Sequence, residues 1–235
     1  ADIAGGSYHM TMAVLAAVIH RQQTGEGQYI DLSMTDAVFS MHALAGAEWL
    51  SGAEEPSAEN GMLNGGTLYD YYETLDGRWI SVGSLEPVFL KRLCLQMGIP
   101  EEQNSHLDDA KSQNRLKEKL RAGFKRKYFQ EWVEIFQMLD ACVEPVLTMS
   151  EAANHPQLQE RGMIKKVPNE EGDLILQISS PFRFSKTPVN SGFSGQIPGA
   201  DTLSTLRELG WEDERIKAFL ETGACGVGFR GDSNN

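Results

Sequence analysis

The residue with the clearest chemical potential stands second. The chain opens ADIAGGSYHMTMAVLAAVIHRQQTGEGQYIDLSM, with Asp2 shortly ahead of Gly5-Gly6-Ser7. Met12, Leu15, Ala16 and Ile19 then recur at helical spacing, with Val14 and Val18 beside them. Asp, Gly and Ser ahead of such a run are helix-start signals. A helix start carries unpaired N–H groups and a partial positive charge, so it stabilises an acid or any anion that reaches the backbone. Two readings of Asp2 follow: a first-turn acid that merely caps, or a functional acid beside exposed donors. The glycine pair lets another backbone or a ligand approach closely.

Other reactive groups are sparse. Glu86 precedes Pro87 and reads locally as a capping acid at a helix start. Of the five histidines, His9 and His42 read as helix-packing residues and His106 and His155 as surface ones. Met10, Met12, Met34, Met41 and Met62 cluster in the first third. They read either as core filling or as a pliable apolar surface for varied apolar ligands. Cys94, Cys142 and Cys225 are scattered and odd in number, which fits a reducing compartment. No Cys or His pair has metal-site spacing, so no metal is expected.

These groups need elements to hold them. A helix is expected from Tyr8 to His20, a turn at Thr24–Gly27, and an alternating strand over 29–34. A helix capped by Thr35 or Asp36 follows. Residues 51–60, SGAEEPSAEN, read as a linker. The stretch TLYDYYETLDGRWISVGS predicts a hairpin: strands over 67–74 and 78–83, with Asp76-Gly77 as the turn. Helices are expected after Pro87, over 108–122 and over 128–139, the last two parted near Gly123. The basic run Lys125-Arg126-Lys127 reads as a solvated face. Short strands over 142–148 and 173–179 flank a helix capped by Ser150 and broken by Pro156. A second extended linker covers 181–200. Helices over 201–209 and 212–222 and a frayed tail from Gly226 end the chain. The pattern is α/β, with a small α+β domain over 61–180 between two linkers and helical pieces on both sides. Residues 1–50 and 201–235 then belong to a second, larger domain.

The totals bound the function. With 235 residues there is room for one or two domains with a real core. Apolar residues make up 41% and charged ones 23%, an ordinary globular balance. A net charge of −12 lacks the basic footprint of a nucleic-acid binder. No apolar run of membrane-helix length is expected, and no signal peptide. The first residues, without a methionine, read like the interior of a domain, so the chain is expected to be partial, with more sequence upstream.

Four blocks carry a family resemblance. ADIAGGS with RQQTGEGQYIDLSMTDAV, NGGTLYDYYETLDGRWISVGSLEPVF, DACVEPVLTMSEAANHPQLQERGM and PGADTLSTLRELG resemble the class III CoA-transferase (CaiB/BaiF-type) superfamily over nearly the whole chain. The second and third blocks, through the Glu-Pro pair above all, resemble its alpha-methylacyl-CoA racemases. Gly199-Ala200-Asp201-Thr202 departs from the common Gly-Glu-His-Thr form, which weakens a ligand role there.

The resemblance implies a two-domain fold whose chains interlock as a homodimer. It also implies that the Rossmann-like CoA-binding half, with the catalytic histidine, lies upstream of this chain. It makes Asp2 the catalytic acid and Glu86 an acid that orients the histidine from the partner chain. Gly5, Gly6 and Met10, and the loop Asn64-Gly65-Gly66, are expected at the substrate. The implied reaction is racemisation of a 2-methylacyl-CoA thioester through an enolate, with CoA as part of the substrate and no separate cofactor. The alternatives are CoA transfer between carboxylic acids through an aspartyl-CoA thioester, and an inactive fragment or dimerising module. No nucleic-acid partner and no membrane insertion are expected. The compartment implied is the cytoplasm, or mitochondria or peroxisomes in a eukaryote.

Overall fold

The computed structural model describes residues 1–100, 110–169, 171–189, 192 and 194–228. The chain divides into two compact units, Ala1–Val146 and Leu147–Asn235. Their boundary falls inside the 61–180 stretch that the sequence suggests as one domain.

The first unit opens with a π-helix, Asp2–Tyr8, that runs straight into α1, His9–Thr24. The helix therefore starts earlier than the pattern predicts. It stops where Gly25 takes φ 79 and gives its amide to the Arg21 carbonyl at 2.8 Å. Joined, the two helices run 23 residues, long and apolar enough to cross a membrane by length and composition only. That corrects the expectation that no such run exists. Met10, Met12, Val14, Leu15, Val18 and Ile19 are all exposed in this chain. At 100° per residue they spread over more than half the circumference, the pattern of a helix that a core or a bilayer surrounds.

The strand expected over 29–34 does not form a ladder. Residues 26–33 form no regular element and pair with no strand among the described residues, and Tyr29 is 92% exposed. Alternation makes a strand only where a neighbour takes up its backbone groups. Ser33, rather than Thr35 or Asp36, caps the next helix by accepting the Asp36 amide at 3.3 Å. That helix breaks in two: α2, Met34–Ser40, and α3, Ala43–Leu50. At the break Met41 and His42 bond the carbonyls three residues back, at 3.1 Å each, which tightens the turn and ends α2.

The hairpin forms as expected. Strand β1, Asp70–Glu73, pairs antiparallel with β2, Trp79–Val82, and Tyr72 faces Ile80. Gly77 supplies the turn's positive φ of 75. Strand β3, Val143–Pro145, adds to the free edge of β2. Tyr72, Ile80, Val82 and Val143 point inward and are buried, while Tyr71 and Trp79 face out. Three helices complete this unit: α4, Pro87–Met97, α5, Ala110–Phe124, and α6, Phe129–Gln137. Residues 108–109 of the predicted helix lie outside the described residues.

An aromatic cluster ties sheet and helices together. Phe124 stands 5.3 Å from Tyr72, 5.2 Å from Trp132 and 5.9 Å from Phe136 between ring centres. Such pairs contribute about 0.5–1.5 kcal/mol each beyond the area they bury. The Trp132 indole donates to the Phe124 carbonyl at 2.8 Å, so its polar end is satisfied inside the core.

The second unit is built from short pieces. Helix α7, Met149–Ala153, is capped by Thr148 rather than Ser150, in a reciprocal box with Glu151. Pro156 does not merely break a helix. It opens a new one, α8, Pro156–Glu160, where its missing N–H costs nothing. Strands β4, Ile164–Pro168, and β5, Leu174–Ile178, form a second hairpin. Its turn is held by Asn169 Oδ1, which accepts the Asp173 amide at 2.8 Å. Helices α9, Thr202–Glu208, and α10, Asp213–Glu221, follow, and Trp211 in the connection between them sets its ring edge-on to Phe219 of α10 at 5.0 Å. The tail begins beside Gly199. A Cβ on Gly199 would meet the Gly228 nitrogen at 2.8 Å, so the chain passes closely there. Residues 229–235 of the tail lie outside the described residues.

Candidate functional site

Asp2 is the first residue of the π-helix, and its side chain is 90% exposed. The carboxylate accepts the Ile3 amide at 3.0 Å. Gly5 and Gly6 both give their amides to the Ala1 carbonyl, at 2.7 and 3.0 Å. Those two donors are therefore spent inside the helix. What glycine supplies at Gly5 is space: a Cβ would meet Val38 Cγ2 at 2.7 Å. The lack of a side chain lets the opening helix lie against α2. Gly6 has Met34 Sδ at 3.3 Å from the same point. Met10 is 37% exposed on the next turn. His9 turns back and bonds the Ala4 carbonyl through Nδ1 at 2.6 Å, which agrees with a packing role.

Glu86 is the N-cap residue of α4, with Pro87 in the first turn, but its side chain makes no capping bond. The carboxylate is exposed and faces outward. The segment beneath it is stitched to the turn before β3. Gly83 donates to the Cys142 carbonyl at 2.8 Å, Ser84 Oγ to the Ala141 carbonyl at 2.5 Å, and Arg92 to Asp140 Oδ2 at 2.6 Å. Cys142 is held at φ 50, a rare conformation for a residue with a side chain. Desolvation, and after it the carboxylates of Glu86, Asp140 and Glu144, push the Cys142 thiol up.

Asn64, Gly65 and Gly66 form a tight loop rather than an open one. The amides of Asn64 and Gly66 both donate to the Gly61 carbonyl at 3.0 Å, and the Gly65 amide to Tyr69 at 3.1 Å. Gly65 takes φ 83, and a Cβ on Gly66 would collide with the Asn60 carbonyl, so both positions require glycine. The loop borders a cavity of about 610 Å³ that Leu63, Tyr69, Tyr71, Trp79 and Ser81 also line.

Lys117 and Asp70 also line that cavity, and sequence reasoning missed both. Asp70 Oδ2 lies 2.9 Å from Lys117 Nζ and 3.5 Å from Arg121. Burial pushes the Asp70 carboxyl up, but the Lys117 and Tyr71 hydrogen bonds and the two cations outweigh it. They hold the carboxyl below its ordinary value. No sequence signal separates a buried lysine from the solvated ones on the same charged helix.

The predicted site residues thus occupy three places in the first unit. Asp2, Gly5, Gly6 and Met10 share the opening helix. Asn64 and Gly65 line the cavity, and Gly66 follows them in the same loop. Glu86 stands at the head of α4 and is not among the cavity's lining residues. Among the described residues no group of three or more His, Cys, Asp or Glu could hold a metal ion.

Residues 1–202 match CoA-transferase family III. The chain is 30% identical over 217 residues to the alpha-methylacyl-CoA racemase of Homo sapiens, covering 92% of this chain and 56% of that protein. It is 27% identical over 203 residues to the succinyl-CoA:mesaconate CoA-transferase of Haloarcula marismortui, covering 83% and 49%. Among solved structures, a CAIB/BAIF family protein from Brucella suis superposes with a TM-score of 0.66 at 21% identity, covering 88% of this chain and 55% of that one. A hypothetical protein from Mycobacterium tuberculosis superposes with a TM-score of 0.62 at 22% identity, covering 80% and 49%. The chain spans about half the length of the curated relatives it matches. Its mixed helix-and-sheet fold is that of part of such a protein, and the chain belongs to CoA-transferase family III.

Proposed function

We propose that this chain forms part of a racemase of 2-methylacyl-CoA thioesters, in which Asp2 works on one face of the α-carbon. The reaction removes the α-proton and returns it to the opposite face. The C–H electron pair moves into the enolate, the thioester oxygen takes the negative charge, and reprotonation restores the carbonyl. Two groups are needed, one on each face. Asp2 supplies a carboxylate for one. The second is an imidazole from the part of the protein upstream of Asp2. Glu86, reaching from a partner chain, fixes that imidazole's tautomer. The observation that carries this reading is Glu86 itself: an exposed acid at a helix start, next to Pro87, that makes no capping bond. Matching at 30% identity to the human and mouse racemases supports it.

The transferase matches favour a second reading on the same acid. There Asp2 is a nucleophile. Its carboxylate attacks the thioester carbonyl and expels CoA thiolate, leaving a mixed anhydride. The thiolate then attacks the aspartyl carbonyl, which releases the carboxylic acid and leaves an aspartyl-CoA thioester for the acceptor acid. Incubating the full protein with a 2-methylacyl-CoA in D2O, without any acceptor acid, separates the two. The racemase incorporates deuterium at the α-carbon and loses optical purity. Turnover that requires an acceptor and leaves the α-position unlabelled establishes the transferase instead.

A further inference from the structure

Lys117 is a buried cation that bridges two segments. It projects from α5, and its side chain retains 7% of its exposure. Its Nζ sits 2.9 Å from Asp70 Oδ2 on β1 and donates to the carbonyl of Gly65. An ammonium is tolerated in such a place only with a counter-charge and good acceptors. Asp70 is well partnered even apart from Lys117. It accepts the Tyr71 amide at 2.8 Å and has Arg121 at 3.5 Å. What Lys117 adds is the bond to Gly65, which reaches 52 residues along the chain.

That bond falls at a sensitive point. Residues 61–66 fold on themselves through the Gly61 carbonyl, and Thr67 Oγ1 pins the Met62 carbonyl at 2.7 Å. Among the described residues the loop's other bonds are local, to residues 61–69. None of them sets its distance from α5, whose Lys117 and Arg121 also line the cavity. A charge-assisted bond from a buried donor fixes that distance, because α5 is anchored in the core through Leu116, Leu120 and Phe124. Methionine or leucine would pack the stem of residue 117 equally well, but neither could hold a carbonyl.

We propose that Lys117 is a positioning residue, which clamps the Gly65 carbonyl to the sheet and thereby sets the Asn64–Gly66 loop against the acyl end of the substrate. The assignment of the loop to substrate rests on the function proposed above. The clamp itself rests on the geometry of Lys117, Asp70 and Gly65.

The test separates packing from positioning. K117M alone leaves Asp70 partly buried beside a lost partner and lowers stability. D70L/K117M removes both charges and refills the space with apolar atoms, a replacement that restores stability in buried pairs. Amide hydrogen exchange is read at Asn64, Gly65 and Gly66 against the β1–β2 ladder amides, so that global opening cancels even if a variant is destabilised. The expected result in both variants is loop exchange about tenfold faster relative to the ladder, the worth of one charge-assisted bond. In the full protein, KM for a 2-methylacyl-CoA rises about tenfold in the double variant while kcat stays within about twofold. Loop exchange that keeps its wild-type ratio to the ladder in both variants overturns the clamp. If the loop loosens but KM does not move, Lys117 holds the loop for the fold alone and the positioning role is wrong. A wild-type protein without α-proton exchange or CoA transfer sinks the proposed function instead, and the exchange ratio then decides the clamp by itself.

Discussion

Asp76, in the turn of the first hairpin, caps a helix that begins 53 residues later. Its Oδ1 accepts the amide of Phe129, the first residue of α6, at 3.0 Å, and the Thr74 hydroxyl at 2.6 Å. Arg78, just past the turn, lays its guanidinium 3.7 Å over the Phe129 ring. The Asp-Gly pair is thus chosen twice, once for the turn and once for the helix start it faces. The Thr74 bond first, and the Phe129 amide with it, hold the Asp76 carboxyl below its ordinary range.

Asp76→Ala is expected to lower the melting temperature and to speed hydrogen exchange at the first turn of α6. Asp76→Asn, which keeps an acceptor oxygen, should retain most of the wild-type Tm at neutral pH. Equal losses in the two variants would mean that charge, not the cap geometry, is what α6 uses.

Asp70 gives a pH signature. Its folded carboxyl titrates below the ordinary 3.8, so the unfolded chain takes up the proton first as pH falls. The stability it contributes is complete above about pH 5, and is lost as pH drops through 3.8 towards the folded value. Thermal melts of wild type and Asp70→Asn from pH 7 to pH 3 are the measurement. The gap between the two curves should be widest at pH 7 and close on the acid side. A gap that stays constant with pH would show that the Lys117 pair contributes through shape rather than charge.

Ile80 tests the register of the sheet. It faces Tyr72 on one side and Pro145 on the other and is 1% exposed. Ile80→Asp places a charge in that core and should unfold the first unit. Ile80→Val should cost about 1 kcal/mol. Outward-facing Ser81, one residue on, should accept Asp with little change in Tm. If Ser81→Asp is the damaging substitution, the strand is turned by one residue.

Much of this was legible because its causes are local. Asp76-Gly77 announces a turn, Pro87 opens α4, and the apolar spacing of α5 and α6 is plain in the sequence. What escaped depends on distant partners. Residues 29–34 alternate like a strand, yet no ladder forms without a neighbour. Strand β4 hides behind Lys165 and Lys166, which interrupt its apolar pattern and leave only the turn at Asn169 to reveal it. Gly5 looks like a ligand-facing glycine until Val38, 33 residues on, is seen to fill the space a side chain would take. Lys117 looks like any other solvated lysine on α5, because burial of one charge among many has no sequence mark. At the candidate site, Asp2 and Glu86 were legible as acids at helix starts, but a cap and a catalytic acid look the same in one dimension.

The two acids are separated from ordinary caps by what each substitution leaves intact. Asp2→Asn removes a proton acceptor from a side chain that is 90% exposed and that accepts the Ile3 amide of its own first turn. Its effect on Tm should therefore be small, while deuterium incorporation into a 2-methylacyl-CoA by the full protein falls at least about 10³-fold, since no second group serves that face. Glu86→Gln breaks no capping bond. It should leave Tm unchanged and cut kcat by about 10–100-fold, the scale of a group that orients a histidine. Ser33→Ala is the control cap. Its hydroxyl holds the Asp36 amide, so its loss costs about 1 kcal/mol of stability and leaves the exchange rate per folded molecule unchanged. Measured side by side, an Asp2→Asn protein that exchanges the α-proton at the wild-type rate would return Asp2 to the same class as Ser33.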